Sequence, residues 1–198
     1  MKQSIEEMLA KHNQDIDHAN EVRRFGMMIF DEVCEKLHEM SNKQRKYLEA
    51  ACMLHDIGYS IEAKGHNKHS MKIIIENGLQ GFDFHECEII GCICRYHRGS
   101  LPKKNEHEIY MDLDKKERKI VKRLGGILKI ADGLGRGHMS LIKKVKINYD
   151  EENNIVEFLL TPNSPDFHPD ITTAIRKRDL FEVGFKCQSV FKFCSTSF

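Results

Sequence analysis

The sequence predicts a mainly α-helical fold: a helical domain over residues 1–140 and a small α+β appendage over residues 141–198. Three observations lead there. Apolar residues recur at three- and four-residue spacing through the first two thirds of the chain, the period of a helix with one buried face. Helix-start signals punctuate that stretch, with Ser41 three residues before Gln44 and Asp114 three before Glu117. Near Leu141 the pattern changes to loose alternation, which suits strands.

The first strong helix is expected over residues 15–40, with Val22, Phe25, Ile29, Val33 and Leu37 on its apolar stripe. His18 lies four residues before Val22 on the same stripe. A second helix, residues 42–55, turns Tyr47, Leu48, Ala51 and Leu54 inward and ends in His55-Asp56-Ile57-Gly58. Gly58 suits a residue just past the helix end, where a left-handed backbone costs glycine little. After a loop, a short helix carries Met71, Ile73, Ile74 and Ile75 and stops at Asn77-Gly78, with His69 four residues before Ile73. The next helix, residues 85–96, has Ile89, Ile90, Ile93 and Cys94 inward and ends in His97. Residues 100–113 read as a solvated connection containing Pro102 and a charged run. A helix from Asp114 follows with Ile120, Val121, Leu124, Leu128 and Ala131 inward, and Asp132 falls on that inward stripe. Gly125-Gly126 inside it costs helix stability and points to close packing or local irregularity.

In the appendage, Lys144 to Tyr149 and Ile155 to Leu160 read as strands joined by a turn at Asp150-Glu151-Glu152-Asn153-Asn154. A short helix is expected over residues 170–178. Leu180 to Phe185 and Val190 to Phe193 read as strands or a strand–helix end.

Composition excludes several classes. Among 198 residues, 31 basic and 30 acidic side chains leave a net charge of +1, so no global field points to nucleic acid or an anionic membrane. No run approaches the ~18 apolar residues of a membrane span, and the N-terminus lacks a signal-peptide core. Seven cysteines, mostly in apolar helical contexts, read as reduced thiols of a cytoplasmic protein rather than a disulfide framework or a thiolate zinc site. A possible edge strand in the appendage could pair with a copy, giving a homodimer.

The chemistry lies in the polar residues on apolar stripes. His18, His55, His69, His97 and Asp132, with Asp56 beside His55, sit at or near stripe ends on separate expected helices. Without a cation, so many inward imidazoles and carboxylates would be costly to bury. Imidazole and carboxylate without thiolate suit zinc, manganese, iron or magnesium. The number of donors also suits two ions bridged by a carboxylate, an arrangement that clamps a phosphate ester and activates water.

The order His18, then His55-Asp56, then Asp132, each on its own helix, resembles the HD superfamily of metal-dependent phosphohydrolases. The surrounding phrases are closer still. Asp15-Ile16-Asp17-His18-Ala19, Leu54-His55-Asp56-Ile57-Gly58, His66-Asn67-Lys68-His69-Ser70, Arg95-Tyr96-His97-Arg98-Gly99 and Ile130-Ala131-Asp132-Gly133-Leu134-Gly135-Arg136-Gly137-His138 resemble the C-terminal HD-like region of the exopolyphosphatase/guanosine pentaphosphate phosphohydrolase family. The resemblance implies an HD-domain helical bundle. It also implies a first metal on His18, His55, Asp56 and Asp132, a second with His69 and His97, and catalytic roles for His55 and Asp56. In that family the polyphosphate chemistry belongs to actin-like domains for which this chain has no room, so that activity is not carried over. The reaction expected is hydrolysis of a phosphate ester or anhydride, of a nucleotide or related small molecule, with one or two divalent ions. Lys68, Arg98 and Arg136 are candidates to neutralise phosphate charge. His66 is read as a loop histidine or substrate contact, and His138 as a candidate proton donor. His168 is the one appendage residue that could ligate a metal. Two other classes use the same residues: a nucleotide-binding regulatory module with little turnover, and a di-iron oxygenase. Metal content with a phosphatase panel separates the first from an enzyme, and oxygen consumption with bound iron marks the second.

Overall fold

A computed structural model describes residues 2–12, 15–103, 107–136, 141–164 and 169–194. His138 and His168 lie outside the described residues. The fold is mainly α, with a small α+β appendage. In chain order come α1 (Ile5–His12), α2 (Ile16–Lys36), α3 (Asn42–Leu54), a 3-10 turn (Ile57–Ser60), α4 (His66–Asn77), α5 (Phe84–Arg95), α6 (Glu108–Asp112) and α7 (Lys115–Leu134). β1 (Ile142–Asp150), β2 (Ile155–Pro162), α8 (Thr172–Arg176), α9 (Asp179–Phe185) and β3 (Gln188–Phe193) complete it. Among the described residues, no helix is long and apolar enough to cross a membrane.

The helices begin where side chains satisfy otherwise orphaned N–H groups. Asp15 accepts from the His18 N–H at the start of α2. Complete capping boxes open α3 (Ser41 with Gln44), α5 (Asp83 with Glu86) and α7 (Asp114 with Glu117). These caps fix helix phase, and phase decides which polar residues share the core with Val22, Phe25, Leu54, Ile74, Ile93 and Leu128, all fully or almost fully buried.

The sheet has the order β1-β2-β3, with β1 antiparallel and β3 parallel to β2. A parallel partner needs a crossover, and α8 and α9 supply it. Here the structure corrects the sequence reading: residues 180–185 form helix α9, not a strand. Its buried residues Leu180, Phe181, Gly184 and Phe185 repeat at helical spacing. The Gly125-Gly126 pair of α7 is explained by this helix, since a Cβ on Gly126 would lie 2.5 Å from the Phe181 Cα. The connection over residues 100–113 also holds α6, whose Tyr110 is buried against Tyr96.

One apolar core runs through helices and sheet together. Each outer strand has one residue whose backbone is met by side chains. At Ile147 of β1, Glu32 accepts from the N–H (3.0 Å) and Lys36 donates to the carbonyl (2.6 Å). At Ser189 of β3, Glu182 accepts from the N–H (2.9 Å) and Arg178 donates to the carbonyl (3.4 Å). At these two positions the outward backbone groups bond to side chains of the same chain.

Candidate metal centre

Five helices and one 3-10 turn converge around Asp56. His55 is the last residue of the α3 turn, with helical φ −60° and ψ −30°. Asp56 leaves the helix at φ −107° and ψ 1°, so consecutive side chains both face the same point. His18 comes from the first turn of α2, His66 opens α4, His97 follows α5, and Asp132 lies near the end of α7.

The two carboxylate oxygens of Asp56 face different histidine pairs. Oδ2 lies 3.4 Å from His55 Nε2 and 3.8 Å from His18 Nε2. Oδ1 lies 3.2 Å from His66 Nε2 and 3.5 Å from His97 Nε2. Asp132 Oδ1 sits 3.4 Å from His18 Nε2, on the first side.

Each imidazole is oriented through its other nitrogen. Nδ1 of His18 faces the Gly135 carbonyl (3.3 Å), that of His55 the Cys52 carbonyl (2.8 Å), that of His66 the Ala63 carbonyl (3.0 Å) and that of His97 the Cys94 carbonyl (2.6 Å). A carbonyl only accepts, so Nδ1 carries the proton and donates. The Nε2 lone pairs are thereby aimed inward, the arrangement found behind metal-ligating histidines.

The electrostatics agree. Burial works against ionisation of Asp56, but the surrounding His55, His66 and His97 hold its carboxyl well below the usual carboxylate range. Burial likewise opposes ionisation of Asp132, yet the neighbouring His18 and the Lys177 charge keep it far below that range. His55 is desolvated, but the adjacent Asp56 raises its pKa. His97 goes the other way: burial and the neighbouring His55 push it down to about 3. His55 Nε2 and Asp56 Oδ1 are buried and make no hydrogen bond. Two buried groups of this kind, with three further nitrogens converging on them, fit a divalent cation, which satisfies them without a proton.

Of the six metal-type residues named from sequence, the structure brings five together: His18, His55, Asp56, His97 and Asp132. His69 is not among them, which corrects the reading of its stripe. Its Nε2 points to Glu62 (3.9 Å) and its side chain is 29% exposed. His66, read as a loop histidine or substrate contact, occupies the place instead. The buried residues of α4 are His66, Ser70, Ile73 and Ile74, and His69 lies about 60° round the helix from His66. The signal was present: the helix starts at His66 behind Gly65, whose φ is +79°.

Among the candidate phosphate contacts, Lys68 and Arg136 are exposed. Arg98 reaches to 3.5 Å of His66 Nδ1. Two residues that sequence reasoning missed stand against the cluster. Lys177, after α8, is ion-paired with Asp132. Tyr59, on the 3-10 turn, stacks on His66 with ring centroids 3.9 Å apart and planes 17° from parallel, and is 49% exposed. All seven cysteines are free thiols, and among the described residues the candidate metal clusters contain none of them.

A helical bundle that turns several imidazoles and two aspartates onto one point is the arrangement expected from the HD resemblance of the sequence. Residues 1–169 match the family model "Ppx/GppA phosphatase, domain III", and the chain belongs to that family. A curated relative, the guanosine-5'-triphosphate,3'-diphosphate pyrophosphatase of Pseudoalteromonas translucida (strain TAC 125), is 28% identical over 102 residues, 52% of this chain and 20% of the relative. The chain thus matches about a fifth of that relative's length.

Proposed function

We propose that this chain is a divalent-metal-dependent phosphohydrolase that cleaves a phosphate ester or anhydride of a nucleotide or related small molecule. The observation that carries the reading is the division of Asp56, one oxygen toward His18 and His55 and the other toward His66 and His97. That is the arrangement of a carboxylate bridging two ions. His18, His55, Asp56 and Asp132 would hold the first, and Asp56, His66 and His97 the second. Bound divalent ions supply Lewis-acid charge to a phosphoryl group and make water a stronger nucleophile at neutral pH.

The chain's own residues do the remaining work. Cys52, Ala63, Cys94 and Gly135 carbonyls lock the four rings, so the donors need no reorganisation at the moment of reaction. His55, His66 and His97 are almost wholly buried, whereas the Asp56 side chain is 20% exposed. Arg98, beside His66, is placed to steer an incoming phosphate. The family name and the relative's nucleotide substrate support this class. Tyr59 adds a reason for a nucleobase: an exposed ring stacked on a histidine of the centre offers its outer face to a second planar group. The whole ligand set falls within residues 1–140, and the free thiols suit the cytoplasm.

The test is turnover of nucleoside di- and triphosphates, pyrophosphate and simple phosphate esters with manganese, with wild type beside D56N. Hydrolysis abolished by chelator and by D56N is expected. Hydrolysis that survives both, or oxygen consumption with bound iron in place of hydrolysis, would sink the reading.

A further inference from the structure

We propose that Lys177 is the phosphate-binding cation of this centre, held on Asp132 until a divalent ion takes that carboxylate. The inference rests on the phosphohydrolase reading above. Lys177 caps the short helix α8, with its N–H directed at the Thr173 and Ala174 carbonyls (both 3.1 Å). That helix is pressed onto α7 next to Asp132: a Cβ on Gly133 would lie 2.5 Å from the Ala174 Cα. The backbone of Lys177 is therefore anchored, and its ammonium donates to Asp132 Oδ2.

Two lysine–aspartate pairs cross between α7 and this segment. Lys129 meets Asp179 at 2.6 Å, and one turn further along α7 Asp132 meets Lys177. The first pair ends on a half-exposed aspartate and serves as a clamp. The second ends inside the centre, on a carboxylate whose other oxygen faces His18. An ion seated on Asp132 would repel the ammonium there. The ligating rings are locked by backbone carbonyls, whereas a lysine is a mobile point charge on a four-carbon stem. The lysine is the group that yields. Its side chain keeps 16% exposure, so it has a way out of the pair without leaving the protein. A phosphate on the ions then presents the anionic oxygens that Asp132 had offered, and the ammonium bonds to them.

Calorimetry with Mn²⁺, and then with inorganic phosphate on the Mn²⁺-loaded protein, tests this on wild type, K177M, K177R and D179N. K177M is expected to bind Mn²⁺ more tightly, because its competitor is gone. It should bind phosphate at least about tenfold more weakly, the loss of one charge-assisted hydrogen bond. K177R is expected to restore phosphate affinity to within about threefold. D179N, which opens only the clamp, should unfold at lower temperature with phosphate affinity unchanged. K177Q carries the same test if K177M does not fold. Phosphate affinity of K177M within about twofold of wild type overturns the inference, as does weakening of equal size in D179N. Wild type that takes up no Mn²⁺ overturns the phosphohydrolase reading itself, and this inference with it.

Discussion

Replacing Gly58 with alanine tests how tightly the two halves of the centre are joined. Gly58 follows the His55-Asp56 pair and packs against the start of α4, which carries His66. Its amide donates to Ser70 Oγ (2.9 Å), and that hydroxyl donates on to the His55 carbonyl (2.7 Å). A Cβ at this position would lie 2.0 Å from the His66 carbonyl oxygen and 2.6 Å from the Ser70 nitrogen. Real Cβ atoms essentially never come within 3.0 Å, so the gap is roughly 1 Å short, and both obstacles are backbone. Gly58 is not among the residues with positive φ, so alanine suffers no conformational penalty and the cost is steric. Overpacking costs about 1–3 kcal/mol, and contact with fixed backbone puts this case at about 3. For a chain of this length that lowers Tm by about 6–12 °C. Scanning calorimetry of the metal-free protein measures it. The displaced α4 should also loosen His66, lowering bound metal in elemental analysis. A Tm within about 2 °C of wild type, with metal content unchanged, would show that the packing here is looser than argued.

Acid should weaken the metal-free protein in two stages. His97 is held neutral by burial, with its pKa lowered from 6.5 to about 3, so the unfolded chain binds more protons between those values. Stability is expected to fall as pH drops through that window, by up to about 1.4 kcal/mol per pH unit from this residue. Asp56 and Asp132 are depressed below 3.8, so their contribution is present above that value and lost as pH falls further. His55 is raised above 6.5, so its share is complete below 6.5 and fades as pH rises through its folded value. Urea midpoints against pH for wild type and H97Q check the first stage, and an equal slope between pH 6.5 and 4 in both would refute it. Tyr59→Ala should raise KM for nucleotides about tenfold or more while leaving pyrophosphate unchanged, with Tyr59→Phe normal on both. Equal losses on both substrates would reduce Tyr59 to a support for His66.

Much of this architecture was legible in the sequence because helices announce themselves twice, by stripe and by cap. Ser41-Gln44 and Asp114-Glu117 marked helix starts that the structure places at Asn42 and Lys115. His18, His55, His97 and Asp132 lay on stripes whose phase was set by long apolar runs, and they do meet. His69 shows the limit. The helix α4 is short, and both His69-Ile73 and His66-Ser70-Ile73-Ile74 satisfy helical spacing. Only the position of the Gly65 turn decides between them, and that depends on where Gly58 presses on α4. Helix α9 was misread for a related reason: seven residues with four apolar ones fit a strand as well as a helix until the glycines of α7 offer a flat seat. Lys177 was invisible because nothing local couples it to Asp132, 45 positions away.

The central claim is that metal binds at Asp56 through His66 and not His69. Elemental analysis of protein saturated with manganese and then desalted, for wild type, H66A and H69A, tests it most directly. Wild type is expected to retain about two equivalents, H69A the same, and H66A about one, because Asp56 and His97 alone are too few to hold the second ion. Wild type devoid of metal, or H69A losing an equivalent while H66A keeps both, would contradict it.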